Sequence, residues 1–272
     1  AYEVLGWGGY WAWDPVENAS FMPFIVASAY LHSAMIQERR GLFKVWNVFL
    51  VCLTFFMTIF GTFLTRSGAI ASVHAFAQSS IGSYFFVALP ILVVCCFSLI
   101  LYRWPELRDL PLDRRYRIAA LAAGWLVLLA VGPGIWLLLS KSLMGLSIRV
   151  MIFAFTCGGV VYAALEVVFR RMTAGIVHDE KRPAIESIFS REFTFLLNNF
   201  ALLGFMAFVL VATTFPMLSE ALWDEKVTVG PPYYNGWVQP LGLCIFSLMG
   251  IGTLFGWKKT SVSALKRACV AP

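Results

Sequence analysis

The sequence predicts an all-α, polytopic integral membrane protein with about seven transmembrane helices, and three observations carry that prediction. The chain of 272 residues is 60% hydrophobic and only 13% charged, with a mean hydropathy of +0.77. That leaves too little polar surface for a soluble domain of this size. Apolar runs close to the roughly 20 residues that a bilayer core requires recur at about 21–36, 46–64, 83–102, 118–139, 150–169, 196–218 and 238–256. Finally, 17 of the 21 Lys and Arg residues fall between alternate runs, all on one side of the expected topology. Such clustering sets orientation, so the net charge of +6 reflects topology and not a nucleic-acid surface. The basic side is expected in the cytoplasm and the chain's first residues outside it, which in a Gram-negative cell means the periplasm.

The first element is aromatic. Four of the seven residues from Trp7 to Trp13 are Trp or Tyr, against 16% aromatics in the whole chain. One reading is an interfacial belt, because these rings favour the headgroup level. The other is a plate, made of Trp7, Tyr10, Trp11 and Trp13, that stacks on a large flat apolar ligand such as a porphyrin. Asp14-Pro15-Val16-Glu17 then reads as a helix start: Asp14 as N-cap, Pro15 at the first helical position, Glu17 closing a capping box. Pro23, Pro90, Pro133, Pro216 and Pro240 lie in or beside the apolar runs, where kinks are expected.

The run Trp7-Gly8-Gly9-Tyr10-Trp11-Ala12-Trp13-Asp14-Pro15-Val16-Glu17-Asn18-Ala19-Ser20-Phe21-Met22-Pro23 resembles the tryptophan-rich signature of haem-handling proteins. It is most similar to that of the CcmF family, the haem lyases of bacterial cytochrome c maturation. The family has Trp-Trp where this chain has Tyr10-Trp11; Tyr keeps the aromatic face and adds a hydroxyl, so altered contacts are expected. Gly61-Thr62-Phe63-Leu64-Thr65-Arg66-Ser67-Gly68 with Ser72-Val73-His74-Ala75-Phe76-Ala77 resembles the family's second periplasmic histidine segment. Val229-Gly230-Pro231-Pro232-Tyr233-Tyr234-Asn235 resembles its periplasmic V-G-x-P-Y-x-N segment. The chain looks like an internal fragment of such a protein.

Between these landmarks, Ile70, Val73 and Ala77 stand at helical spacing in the 65–80 loop, which predicts a short helix on the membrane surface. Residues 104–189 read as an inserted transmembrane hairpin suited to packing or partner docking. Within it Glu166 sits one turn from Arg170 and is expected to snorkel with it, and His178 is a solvated loop residue. The 219–237 loop leaves two readings open: anchoring by Tyr233, Tyr234 and Trp237, or a wall of a ligand chamber. The six cysteines include no C-x-x-C and read as small buried hydrophobes.

His32 stands about 27 Å along the helix that starts at Asp14, inside the membrane, where an imidazole needs a partner such as Ser33 or a neighbouring carbonyl. The resemblance implies more. It makes His32 an axial ligand of a resident haem b, and His74 an axial ligand of haem held as the transferred substrate, with Trp7, Tyr10, Trp11, Trp13 and Asp14 in the haem-binding surface. The partner histidine of each pair belongs to segments outside this chain. It also implies three partners: a haem chaperone, apocytochrome c, and the protein that presents the apocytochrome's thiols. The reaction implied is thioether formation; no acid, base or nucleophile set of hydrolase type is present, and Asp14 and Glu17 are better explained as caps. The alternatives are a haem transporter or exporter, or a non-catalytic assembly factor of the CcsA type. The corresponding organisation is an aromatic motif at 1–20, a three-span core with the His74 loop at 21–102, cytoplasmic loops and hairpin at 103–192, two spans and their outer loop at 193–257, and a basic cytoplasmic tail at 258–272.

Overall fold

Asp14 starts the central helix as its chemistry requires. In the computed structural model, which describes residues 10–67, 70, 72, 81–107, 122 and 185–270, helix α1 spans Pro15–Arg40. The Asp14 carboxylate accepts the Val16 N–H at 3.0 Å, and Glu17 reaches back to the Asp14 N–H at 3.2 Å. This is the capping box expected from the sequence. At the other end Gly41 takes a φ of +68° and its N–H bonds to the Gln37 carbonyl, the left-handed stop that glycine makes cheaply.

Helices α2 (Lys44–Arg66), α3 (Ile81–Leu107), α4 (Arg191–Trp223), α5 (Pro231–Leu254) and the short α6 (Val262–Val270) follow, and the described residues contain no strand. The protein is a membrane protein, all-helical among the described residues. Among the described residues α1, α2, Arg191–Glu220 of α4, and α5 are long and apolar enough to cross a bilayer; α3 contributes the shorter apolar stretch Ala88–Ile100. The spans expected at 118–139 and 150–169, with Glu166 and His178, lie outside the described residues, as does most of the helix expected over 65–80. The helices run on through Pro23, Pro216 and Pro240.

Helix α1 packs against both α2 and α4, while α3 flanks α2 and α5 flanks α4. The core between them is Met22, Ile25, Val26 and Ala29 of α1, Leu50 and Met57 of α2, and Leu202, Phe205, Met206 and Val209 of α4. Small residues let the backbones approach, since lipid offers no hydrophobic drive between helices. At Gly61 an added Cβ would lie 2.8 Å from the Ala19 carbonyl oxygen. Polar side chains in α2 are concealed locally: Thr54, Thr58, Thr62 and Thr65 donate to the carbonyls of Leu50, Thr54, Thr58 and Thr62.

The Arg39–Arg40 end is closed by charge. Buried Glu192 accepts the Lys258 N–H with both oxygens at 3.0 Å and pairs with Arg40 Nε at 3.1 Å. Arg40 also binds the exposed Glu186 at 2.9 Å, and its guanidinium holds that carboxyl below the usual range. Arg191 donates to the Phe255 and Thr253 carbonyls at the end of α5 and lies 5.4 Å over the Trp257 ring.

Gly61 and Gly204 give opposite expectations. Gly61→Ala pushes a methyl into α1 backbone and is expected to lower stability by about 1–3 kcal/mol. Gly204 has nothing within 4 Å, so Gly204→Ala is expected to be neutral or to stabilise by up to about 1 kcal/mol. Thermal unfolding of both variants in detergent checks the contrast.

Candidate functional site

The aromatic motif enters α1 through a turned backbone. Trp13 has a φ of +58°, a left-handed conformation that costs a bulky residue about 1–3 kcal/mol. What holds it is α5. The Trp13 indole stacks on Tyr234 with centroids 5.0 Å and planes 3° apart, and its N–H donates to Asn235 Oδ1 at 2.8 Å. Fully buried Asn18 ties the same region to α4: its amide nitrogen lies 3.0 Å from the Trp13 carbonyl, 3.0 Å from Thr213 Oγ1 and 3.3 Å from the Tyr234 hydroxyl.

The segment carrying Tyr233, Tyr234, Asn235 and Trp237 is therefore not a loop. It forms the first two turns of α5, because Pro231 and Pro232 after Gly230 occupy positions that need no hydrogen-bonded N–H. The span expected from residue 238 begins at Pro231.

The expected plate is divided. Trp11 meets Trp13 edge-on at 5.6 Å and 89°, and Phe21 at 5.4 Å and 72°. Tyr10 is 93% exposed and Trp11 42%, whereas Trp13 has one face covered by Tyr234. Asp14, besides capping α1, accepts the Ser72 hydroxyl at 2.5 Å, which brings the segment after α2 against the start of α1. Trp7 and His74 lie outside the described residues.

His32 lies half-buried at the α1–α4 contact. Asn198 Nδ2 stands 3.4 Å from His32 Nδ1, and the Phe195 ring is 5.5 Å from the imidazole. Exposed Phe24, Leu31 and Met35 flank His32 along α1. An imidazole engaged at Nδ1 from a second helix, with apolar side chains to either side, could ligate an iron through Nε2 and offer a porphyrin apolar contact. At the same level Ser33 Oγ, Asn47 Oδ1, Asn198 Oδ1 and both amide atoms of Asn199 are buried without a partner among the described residues. The sequence reading gave Asn198 and Asn199 no role; the signal was two amides inside an apolar span.

Residues 1–71 match the family described as "Cytochrome C assembly protein". The chain is 33% identical to the cytochrome c-type biogenesis protein CcmF of Pseudomonas aeruginosa, over 96% of this chain and 29% of that protein. It is 30% identical to CcmF of Escherichia coli, over 94% of this chain and 29% of that protein. It is also 30% identical to the probable cytochrome c-type biogenesis protein NrfE of Escherichia coli, over 97% and 35%. A solved structure titled "Cytochrome c Heme Lyase CcmF" aligns with a TM-score of 0.46 and 28% identity, covering 98% of this chain and 28% of that one. The chain thus spans about a third of the length of the curated relatives it matches.

Trp11 and Trp13 are expected to respond differently to truncation. Trp13→Ala removes the stack and the indole hydrogen bond and leaves the strained turn unsupported, for a loss of about 2 kcal/mol. Trp11→Ala is expected to cost less than half of that. Thermal melts of the two variants in detergent read the difference directly.

Proposed function

We propose that this chain, a sequence relative of the CcmF proteins along nearly its whole length, is the haem-handling part of a cytochrome c-type biogenesis haem lyase. The observation that carries the reading is the division within the aromatic motif: Trp13 is locked against α5, and Tyr10 and Trp11 are left exposed beside it as a stacking surface. The motif and the His74 segment stand on the periplasmic face of the inner membrane, with the Arg39–Arg40 end in the cytoplasm. Seven spans, including a hairpin within 104–189, complete the organisation, and the five-part division of the chain follows it.

Substrate haem arrives from a haem chaperone and lies against Trp7, Tyr10 and Trp11, oriented by the rigid Trp13–Asp14 turn, with His74 as an exchangeable axial ligand. The thiol-presenting partner delivers a reduced C-x-x-C-H segment of apocytochrome c, whose histidine displaces His74. Each cysteine S–H then adds across one vinyl C=C of the substrate, forming one C–S and one C–H bond. The chain's contribution is position, since a fixed vinyl edge turns a bimolecular encounter into an oriented one. His32 would hold a resident haem b through Nε2, and that group, when bound, would supply one-electron redox chemistry.

The two histidines are expected to fail differently. In the full-length protein, His32→Ala depletes the resident haem and lowers thermal stability, because a ligand that binds the folded state stabilises it. His74→Ala spares the resident haem and abolishes covalent haem on a co-expressed cytochrome. Reduced visible spectra and haem-stained cytochrome yield measure both; loss of all haem in His74→Ala with an unchanged spectrum in His32→Ala reverses the assignment. Replacing Tyr10 and Trp11 together by Ala is expected to cut cytochrome yield while the His32-dependent spectrum persists, and an unchanged yield leaves the pair as interfacial anchors only.

A further inference from the structure

We infer that Asn198 is a positioning residue for His32: through the contact of its amide with Nδ1, helix α4 sets the rotation and tautomer of the imidazole, and so the electronic character of the group bound at Nε2. The inference rests on the resident-haem reading above and adds to it a residue on a different helix.

Asn198 is 1% exposed, and the contact with Nδ1 is 3.4 Å. As placed, the amide nitrogen faces the ring and Oδ1 is buried without a hydrogen-bond partner among the described residues. The two ends of an amide have nearly the same shape, and a half-turn about the last side-chain bond exchanges them. A histidine that ligates through Nε2 carries its proton on Nδ1 and needs an acceptor there. After that half-turn Oδ1 is such an acceptor, so ligation at Nε2 gives the orphaned oxygen its donor. Inside a bilayer no water competes for either group.

Asn198 relates the ring to a second helix. That helix is itself held in register: Ser190 caps its start, Glu192 in its first turn pairs with Arg40, and Phe195 lies 5.5 Å from the imidazole. Asn199 offers an internal comparison. It is also fully buried and also an asparagine, yet its amide makes no hydrogen bond among the described residues.

The experiment uses the full-length protein in detergent, with Asn198→Asp, Asn198→Leu, Asn199→Leu and His32→Ala. Midpoint potentials come from spectroelectrochemical titration, and haem loss from transfer to apomyoglobin. Asn198→Asp strengthens acceptance from Nδ1–H, gives the ring more anionic character and favours ferric iron, so the potential is expected to fall. Asn198→Leu removes the acceptor; the potential is expected to rise and haem loss to accelerate about tenfold. Asn199→Leu is expected to leave the potential at its wild-type value. A residue that merely packs would not move the potential in opposite directions. If both Asn198 variants shift it the same way or not at all, or if Asn199→Leu shifts it as far as Asn198→Leu, the inference is overturned. If Asn198→Leu does not assemble, the sign for Asn198→Asp decides alone: a fall supports the inference, and no change or a rise defeats it. A His32→Ala protein that keeps the intramembrane spectrum overturns the resident-haem reading and this inference with it, an outcome distinct from a negative result at Asn198.

Discussion

A polar group of α1 that enters the bilayer is costly unless protein pairs it, because lipid offers nothing in exchange for lost water. Three such groups lie along one side of the helix, and α4 answers each of them. Asn18 meets Thr213, His32 meets Asn198, and Arg40 meets Glu192. At 1.5 Å per residue the first and second lie about 21 Å apart and the second and third about 12 Å, so the ladder runs nearly the full thickness of a membrane. Sliding α4 by one turn would break all three at once. The pairing therefore fixes register more sharply than the apolar contacts between the rungs, which tolerate small shifts.

That register has a consequence at the aromatic end. Asn18 reaches Tyr234 of α5 as well as Thr213, and Tyr234 stacks on Trp13. The first turn of α5 is thereby clamped to the first turn of α1 through α4. A left-handed Trp13 is tolerable because the ring and the indole N–H are both held, so the cost of the backbone is offset by contacts that exist only in this arrangement. The turn that strain produces leaves Tyr10 and Trp11 facing outward, beside Asp14 and Ser72. A flexible linker would give the same rings no fixed direction; here the surface is aimed.

At the opposite end the same logic uses charge. Glu192, buried and doubly bonded to the Lys258 amide, would be costly alone, and Arg40 neutralises it. Arg191 next to it closes the end of α5 by taking its last carbonyls. Between the two clamped ends, the level of His32 is the least satisfied part of the bundle: Ser33, Asn198 and Asn199 all keep buried polar atoms without partners among the described residues. A bundle secured at both ends can carry that local deficit.

The sequence by itself determined what depends on near neighbours or on counting. The apolar runs announced helices, and Asp14 and Glu17 announced the start of α1, because caps and spans are set within a few residues. His32 stood out as a polar group at membrane depth for the same reason. Even so, local signals misled at Gly230-Pro231-Pro232, where weighting the apolar run beginning at residue 238 hid a helix that starts at Pro231 and carries Tyr234 and Asn235 on its first turns. Only the tertiary structure decided which partner each polar group has. Asn18 and Thr213 are 195 residues apart in the chain, and Trp13 and Asn235 are 222. Helical periodicity states which face a residue occupies and is silent about which helix that face will meet. The division of the aromatic motif into a locked Trp13 and an exposed Tyr10–Trp11 pair is thus a property of the packing, since identical rings become anchor or surface according to whether another helix lies within about 5 Å.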